Sequence, residues 1–143
     1  MALSDSEIRE ALAGKKLIID PFYEASLNPA GYDLRLGGES VLAPSEHRLV
    51  STMERVELGR DLVGVLHIRS SLAREGVLAS LALVDPGFRG QLTIALFNSG
   101  KRTIRLKAGE RFVQLTLSRL GRRAETKYEG RYQNSIGVVG SRR

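Results

Sequence analysis

The chain of 143 residues has no cysteine and no tryptophan, and its only histidines are His47 and His67. Without thiols it can form neither disulfides nor thiolate metal sites, and the two histidines do not form a metal-ligand pattern. No apolar run reaches the roughly 20 residues that cross a bilayer, and the first residues lack the apolar core of a signal peptide. We therefore predict a cytoplasmic protein without a membrane partner.

Several common fingerprints of nucleotide and ester chemistry are also missing. The chain has no Walker loop, no GxGxxG fingerprint and no GxSxG elbow. It does carry a net charge of +6, with seven basic and two acidic residues between positions 119 and 143. A basic tail indicates either a polyanionic partner or a solvated, arginine-rich surface. The aromatic-basic stacking pattern of nucleic-acid modules is absent, so no nucleic-acid partner is predicted.

Residue patterning predicts one helix followed by strands. Ser4 and Glu7 have the spacing of a capping box, an apolar stripe follows them, and Gly14 is a natural helix end. Strands are indicated by three apolar runs, at 62–68, 91–97 and 111–118. Short strands at close spacing predict a mainly β fold, a barrel or jelly roll with a short N-terminal helix.

The domain organisation is simple. We find no repeat and no linker, so residues 1–127 are predicted to form one β-domain with its N-terminal helix. Residues 128–143, the C-terminal arm, contain Gly130, Gly137 and Gly140 and lose apolar periodicity. We expect this arm to be flexible and to act as a lid of the same domain.

The segment Arg69-Ser-Ser-Leu-Ala-Arg74 follows a predicted strand. Its hydroxyl and guanidinium groups can bind phosphate oxygens through charge-assisted hydrogen bonds. If Ser70 or Ser71 caps a short helix beginning near Leu72, backbone amides add to the anion site. The alternative is a plain helix cap followed by a surface arginine.

The segment Val84-Asp-Pro-Gly-Phe-Arg-Gly90 places an aspartate before a Pro-Gly turn. Asp85 is either a turn residue or a fixed carboxylate that orients a water, with Phe88 as a flat apolar wall. Gln114 is polar within an alternating strand, where it is either a ligand contact or an ordinary solvent-side residue. The stretch from Tyr128 to Gln133 is either a phosphate-binding cover or a disordered tail.

Taken in order, these segments resemble the superfamily of dUTPases and dCTP deaminases over nearly the whole chain. The opening residues are similar to the N-terminus of dCTP deaminases, and within them Ala30-Gly-Tyr-Asp-Leu34 is similar to the first dUTPase motif. The segment 69–74 matches the second motif, 83–90 matches the third, and Gly109-Glu-Arg-Phe-Val-Gln-Leu115 matches the fourth. Gly130-Arg-Tyr-Gln133 is similar to the deaminase C-terminus.

The resemblance implies a trimer with sites between subunits and a role for each site residue. The residues that would surround the triphosphate and the reacting centre are Arg69, Ser70, Ser71 and Arg74, with Gln114, Tyr128 and Arg131 also contacting phosphates. Asp85 would hold the sugar's 3′ side and the attacking water, and Phe88 would pack on the deoxyribose. Thr93, Ile94 and Ala95 would present backbone groups to the pyrimidine. Mg²⁺ would be held through phosphates and waters rather than by protein ligands.

One departure from the deaminase pattern separates two reactions. The deaminases that the chain resembles carry a proton-shuttling glutamate ten positions after the aspartate that matches Asp85, and here that position is Ala95. The resemblance therefore predicts a dUTP diphosphatase that forms dUMP and pyrophosphate, with Asp85, Ser70 and Arg74 as catalytic residues. The alternatives are a dCTP deaminase, including one that continues to dUMP, and a non-catalytic nucleotide-binding homologue.

Overall fold

The computed structural model describes residues 1–80 and 82–143. Helix α1 spans Asp5–Ala13 and helix α2 spans Ser70–Arg74, with a 3-10 turn at Glu24–Ser26. Ser4 caps α1 through the predicted capping box with Glu7, and Gly14 follows the helix. The predicted N-terminal helix is confirmed. No helix in the described part of the chain is long and apolar enough to span a membrane, and the cytoplasmic location stays a prediction.

The described residues form three antiparallel sheets. The strands are β1 (Leu17–Asp20), β2 (Leu27–Asn28), β3 (Gly31–Arg35), β4 (Ser40–Leu42), β5 (His47–Leu58), β6 (Leu62–Ile68), β7 (Val77–Ala79), β8 (Leu83–Val84), β9 (Arg89–Asn98), β10 (Ile104–Leu106) and β11 (Arg111–Arg119). Their orders are β1-β5-β9-β7, β10-β4 and β2-β3-β11-β6-β8. Buried side chains of these sheets and of α1 form one apolar cluster. The mainly β fold is confirmed, although among the described residues no sheet closes into a barrel.

The three predicted strands correspond to β6, β9 and β11. They could be predicted because buried apolar side chains alternate with more exposed ones along each strand. In β9 the buried side chains include Ile94 and Leu96, and in β11 they include Leu115 and Leu117. Phe112 is also fully buried, although it does not share the face of Leu115 and Leu117. The pairing of β11 with β3 shifts register between residues 111 and 113, which places a β-bulge beside this residue.

Two expectations need correction. Neither Ser70 nor Ser71 caps α2, because the helix begins at Ser70 and its N-cap is Arg69, which makes no capping side-chain hydrogen bond. The C-terminal arm has no apolar periodicity, as expected, but it is fastened along β9 by hydrogen bonds such as Gln91 N–H to Ser135 O at 2.8 Å. Its action as a lid stays a prediction.

Candidate active site

A pocket of about 430 Å³ lies beside β9 and gathers part of the predicted site. The predicted residues that line it are Asp85, Phe88, Thr93, Ala95 and Tyr128. The rest of the wall comes from β5, from Ser80 after β7, from β8 and β9, and from the C-terminal arm. These added lining residues include His47, Leu49, Ser80, Gln91, Tyr132, Ser135 and Val139.

At one end of the pocket, a rigid turn presents an exposed carboxylate. Phe88 N–H donates to the main-chain oxygen of Asp85 at 3.1 Å, and Gly87 closes the turn with φ of +83°. The Phe88 ring is nearly buried and meets Tyr128 edge to face, with ring centroids 5.5 Å apart. Tyr128 N–H donates to Pro86 O at 2.8 Å. The backbone around Asp85 is therefore fixed while its side chain remains open to a ligand.

In the middle of the pocket, the backbone of Thr93 faces an opening. Gln91 N–H donates to the arm, and Ala95 C=O accepts from Ser80 N–H, on the same edge of β9. Alternate residues of a strand direct their backbone groups to the same side, so the N–H and C=O of Thr93 also face this edge. No backbone partner for them is found there among residues 1–80 and 82–143. The backbone of Thr93 thus presents one hydrogen-bond donor and one acceptor to the pocket.

At the other end of the pocket, the methyl group of Ala95 lies between the side chains of Ser80 and His47. Ala95 N–H donates to Ser80 Oγ at 3.1 Å on one side. On the other side, Ala95 pairs with Leu49, and His47 lies two residues along β5, diagonal to Ala95 on the same face. Sequence reasoning missed His47, because its place in the pocket depends on the β5–β9 register. The other predicted contact in this strand, Ile94, was wrong, because its side chain is 1% exposed and its backbone groups face β5, where it pairs with Val50.

A second polar cluster forms at the edge of the five-stranded sheet. Arg69 Nε lies 3.2 Å from Asp33 Oδ2, and Arg111 Nη1 lies 3.9 Å from the same oxygen. Gln114 pairs with Asp33 on one side and with His67 on the other. Asp33 was not predicted as a site residue, although it belongs to the Ala30–Leu34 motif that carries part of the resemblance. The carboxylate of Asp33 thus holds Arg69, the N-cap residue of α2, in place.

The structure keeps this second cluster away from Asp85. Val84 pairs with Gly64, so Asp85 lies opposite Val63, six residues along the chain from Arg69. At about 3.3 Å per residue the separation is roughly 20 Å. Ser70, Ser71 and Arg74 lie exposed on α2, beyond Arg69. Within one chain, the predicted phosphate residues Arg69, Ser70, Ser71 and Arg74 therefore do not meet Asp85, whereas Tyr128 lines the same pocket as Asp85.

Arg131 is the remaining predicted contact. Its guanidinium donates to Arg142 O, and Arg142 Nη1 donates back to Arg131 O at 2.6 Å. The side chain is exposed and does not line the pocket. In this structure, Arg131 therefore braces the two ends of the C-terminal arm against each other.

Comparisons with known proteins agree with this architecture. A family model described as dCTP deaminase-like matches residues 37–120. The dCTP deaminase of Thermococcus kodakarensis is 44% identical, with 100% of this chain and 99% of that protein covered. A probable deoxyuridine 5′-triphosphate nucleotidohydrolase of Sulfolobus islandicus rod-shaped virus 1 is 37% identical, with 97% of each covered.

Solved structures show the same fold. A 2′-deoxycytidine 5′-triphosphate deaminase from Agrobacterium tumefaciens superposes with a TM-score of 0.72 at 21% identity, covering 84% of this chain and 48% of that one. The dUTPase of Staphylococcus bacteriophage 80alpha gives 0.63 at 20% identity, covering 81% and 97%.

The chain belongs to the dCTP deaminase-like family, within the superfamily that dUTPases and dCTP deaminases share. The predicted resemblance is confirmed. The relatives carry the names of enzymes that act on pyrimidine deoxynucleoside triphosphates, and deaminase is the commoner name. Those names favour the deaminase alternative over the predicted diphosphatase, and the choice between the two reactions depends on the pocket itself.

Proposed function

We propose that this chain hydrolyses dUTP to dUMP and pyrophosphate. The observation that carries the proposal is Ala95 in the pocket wall, at the position where the deaminases it resembles carry a proton-shuttling glutamate. A methyl group cannot accept or donate a proton, and loss of a general acid or base typically slows a reaction by 10²–10⁴-fold. The names of relatives indicate the class of substrate, whereas the side chain at position 95 bears on the reaction.

The pocket suits a pyrimidine deoxynucleoside. The N–H and C=O of Thr93, which find no backbone partner in the described part of the chain, complement the donor and acceptor on the pairing edge of a pyrimidine, in the way enzymes read an unpaired base. Uracil and cytosine can each form hydrogen bonds with this donor and acceptor, through different atoms of the base. The two backbone groups therefore define the class of substrate but do not distinguish diphosphatase from deaminase. Phe88 supplies an apolar face for the deoxyribose next to Asp85.

In the proposed mechanism, Asp85 orients a water and takes its proton while the water attacks the α-phosphorus. The bond to the β-phosphate oxygen breaks and pyrophosphate leaves. Arg74, Arg69 and Ser70 would stabilise the charge on the departing group through hydrogen bonds and ion pairs. No group of three or more His, Cys, Asp or Glu forms a metal site within residues 1–80 and 82–143. Mg²⁺ would accordingly take phosphate and water ligands and neutralise phosphate charge.

The proposal requires a second copy of the chain. Asp85 and Arg69 are roughly 20 Å apart along the sheet, too far for both to act on one phosphate group. We propose the homotrimer implied by the family resemblance, in which α2 and Gln114 of one subunit approach the Asp85 pocket of another.

A second candidate is deamination of dCTP, which the names of the relatives favour. His47 gives this candidate a structural basis, because it is a titratable side chain that lines the pocket close to Ala95. A histidine can transfer protons near neutral pH. His47→Asn would then remove any ammonia release while leaving pyrophosphate release in place.

Product analysis of the unmodified protein tests both candidates. With Mg²⁺ and either dUTP or dCTP, pyrophosphate and ammonia are measured in the same reaction. We expect pyrophosphate from dUTP and no ammonia above the uncatalysed background from dCTP. Ready ammonia release from dCTP would overturn the diphosphatase proposal and assign the proton transfer to a group other than residue 95.

A further inference from the structure

A run of exposed basic side chains follows β9 and continues along β10. Between positions 101 and 107 no residue is acidic, and the basic residues are Lys101, Arg102, Arg105 and Lys107. All of these side chains are exposed, whereas Ile104 and Leu106 between them are buried. The alternation of β10 therefore directs its apolar side chains into the core and its charges outward.

The positive charge of this run is concentrated at its start. At the far end, Lys107 N–H donates to the Glu110 carboxylate at 2.9 Å, so an acidic group lies beside Lys107. In the part of the chain that the structure describes, Lys101, Arg102 and Arg105 form no ion pair. The strand that pairs with β10, β4, contains no charged residue. We call these three residues, 101, 102 and 105, the basic edge.

A buried asparagine fixes the turn that begins the basic edge. Asn98 is 0% exposed, and its Nδ2 donates to Arg102 O at 2.7 Å and to Leu42 O at 3.1 Å. Its Oδ1 accepts from Gly100 N–H at 2.9 Å. The backbone that carries Lys101 and Arg102 is therefore held in place, while the charged ends of both side chains extend into solvent.

The same turn packs against the C-terminal end of α2. A Cβ built on Gly100 would lie 2.8 Å from Glu75 O. Arg74 precedes Glu75 and Lys101 follows Gly100, so the Cα atoms of Arg74 and Lys101 lie within about 15 Å of each other at 3.8 Å per residue. Arg74 and the basic edge carry four positive charges against the one negative charge of Glu75. This side of the molecule is therefore positive next to the residues proposed to hold phosphates.

Exposed charges on β10 can also have a purely structural reason. Among the strands that the structure describes, β10 pairs only with β4, so its other side is a free sheet edge. Charged side chains on such an edge prevent pairing with another chain. Charges of either sign fulfil that role, whereas an effect on an anionic ligand depends on the sign.

We propose that the basic edge steers the triphosphate of an incoming nucleotide toward α2. The inference rests on the proposed function, because its ligand is a nucleoside triphosphate. Surfaces of one sign raise the association rates of oppositely charged ligands by about 10–10³-fold. The Debye length is about 30 Å at 0.01 M salt and about 8 Å at 0.15 M. Attraction over about 15 Å is therefore strong at the lower salt concentration and largely screened at the higher one.

Stopped-flow binding of a non-hydrolysable dUTP analogue at these two salt concentrations tests the steering. The chain has no tryptophan, so emission from Tyr128 and Tyr132 in the pocket wall can report binding. Arg102→Glu with Arg105→Glu keeps the edge charged but reverses its sign. We expect the association rate constant to fall by roughly tenfold at the lower salt concentration, with little difference at the higher one and an unchanged dissociation rate constant. Arg102→Gln with Arg105→Gln should give an intermediate association rate, and it serves as the test variant if the reversed one does not fold.

The matched control is Arg122→Glu with Arg123→Glu, which makes the same change in net charge at two exposed positions. The start of β11 lies at α2, where Arg69 N–H donates to Phe112 O at 3.1 Å. Arg122 and Arg123 follow the other end of this strand, about 27 Å away. The control should keep the wild-type association rate constant at both salt concentrations.

The possible results separate the steering from the proposed function. Equal association rate constants in the test and control variants would overturn the steering and leave the basic edge as protection of a sheet edge. A loss of affinity carried by faster dissociation would also overturn it, because the two arginines would then bind phosphate directly. Both results leave the proposed function standing. A wild-type protein that binds no triphosphate would overturn the proposed function and the steering together.

Discussion

The substitution Asp85→Asn isolates the proposed chemical role of one carboxylate. Asparagine retains the size of the side chain and the main-chain oxygen that accepts from Phe88 N–H, but it cannot take a proton from water. A positioned general base contributes about 10²–10⁴-fold, which corresponds to roughly 2.7–5.5 kcal/mol of activation free energy at 1.36 kcal/mol per tenfold. Pyrophosphate release from dUTP should fall by at least about a hundredfold.

Folding should be almost unaffected by the same change. The Asp85 side chain is exposed and makes no hydrogen bond or ion pair within the described residues. Surface substitutions of this kind usually change the free energy of unfolding by about 0.5 kcal/mol or less. The reasoning therefore predicts a large loss of rate beside a nearly constant unfolding temperature.

The assay compares Asp85→Asn with Asp20→Asn, an exposed position at the end of β1. Pyrophosphate release, binding of a non-hydrolysable dUTP analogue and thermal unfolding are measured for each. We expect Asp20→Asn to match the wild type in all three. Near-normal turnover by Asp85→Asn would refute the assignment, and so would a loss of rate that follows a loss of stability.

Four further changes test other parts of the molecule. Truncation before Tyr128 removes a wall of the pocket but none of the sheets, so circular dichroism should show a folded protein with little pyrophosphate release. Arg74→Ala should weaken binding of a non-hydrolysable dUTP analogue by roughly tenfold, and unchanged affinity in a titration would make Arg74 a surface residue. Ser4→Ala should cost about 1 kcal/mol in denaturant unfolding. Hydrogen bonding from Ser4 N–H lowers the pKa of Glu7 in the folded protein. The stabilisation by Glu7 is therefore complete above the ordinary glutamate pKa, and it is lost as the pH falls through the lowered pKa of the folded state. The difference in unfolding temperature between wild type and Glu7→Gln should therefore shrink as the pH falls below the ordinary glutamate pKa.

The fold could be predicted where the buried face of an element is apolar. In β6, β9 and β11 the alternation is clear, and at α1 the capping residues mark the start. The longest strand, β5, was missed because its buried face includes Thr52 and Glu54. Arg35 Nε lies 2.7 Å from Glu54 Oε1 and satisfies that carboxylate, but a single sequence does not indicate which basic residue will be its partner.

In the candidate site, too, local motifs could be predicted and contacts between distant strands could not. Asp85 and Phe88 lie on one turn, so a local motif predicts them together. His47 enters the pocket only through strand pairing across β5 and β9, and the bonds of Gln91 to the arm join residues 46 positions apart. Such contacts depend on tertiary register, which local patterns do not encode. The family resemblance implied a phosphate contact for Arg131, whereas its observed partner is another residue of the arm.

The two candidate reactions differ in which end of one bound nucleotide is attacked. In the proposed binding mode, deamination would take place at the base, beside Ala95 and His47, while diphosphate release would take place at the α-phosphorus, near Asp85. Ala95 lies on β9 and Asp85 lies on the turn before this strand, so the side chains at the two ends of the pocket can change independently. A family can then keep the backbone groups at Thr93 and the Asp85 turn while a single side chain at position 95 adds or removes the chemistry at the base. For this reason the likeness to named deaminases supports a pyrimidine deoxynucleotide as the substrate, and Ala95 supports reaction at the phosphate.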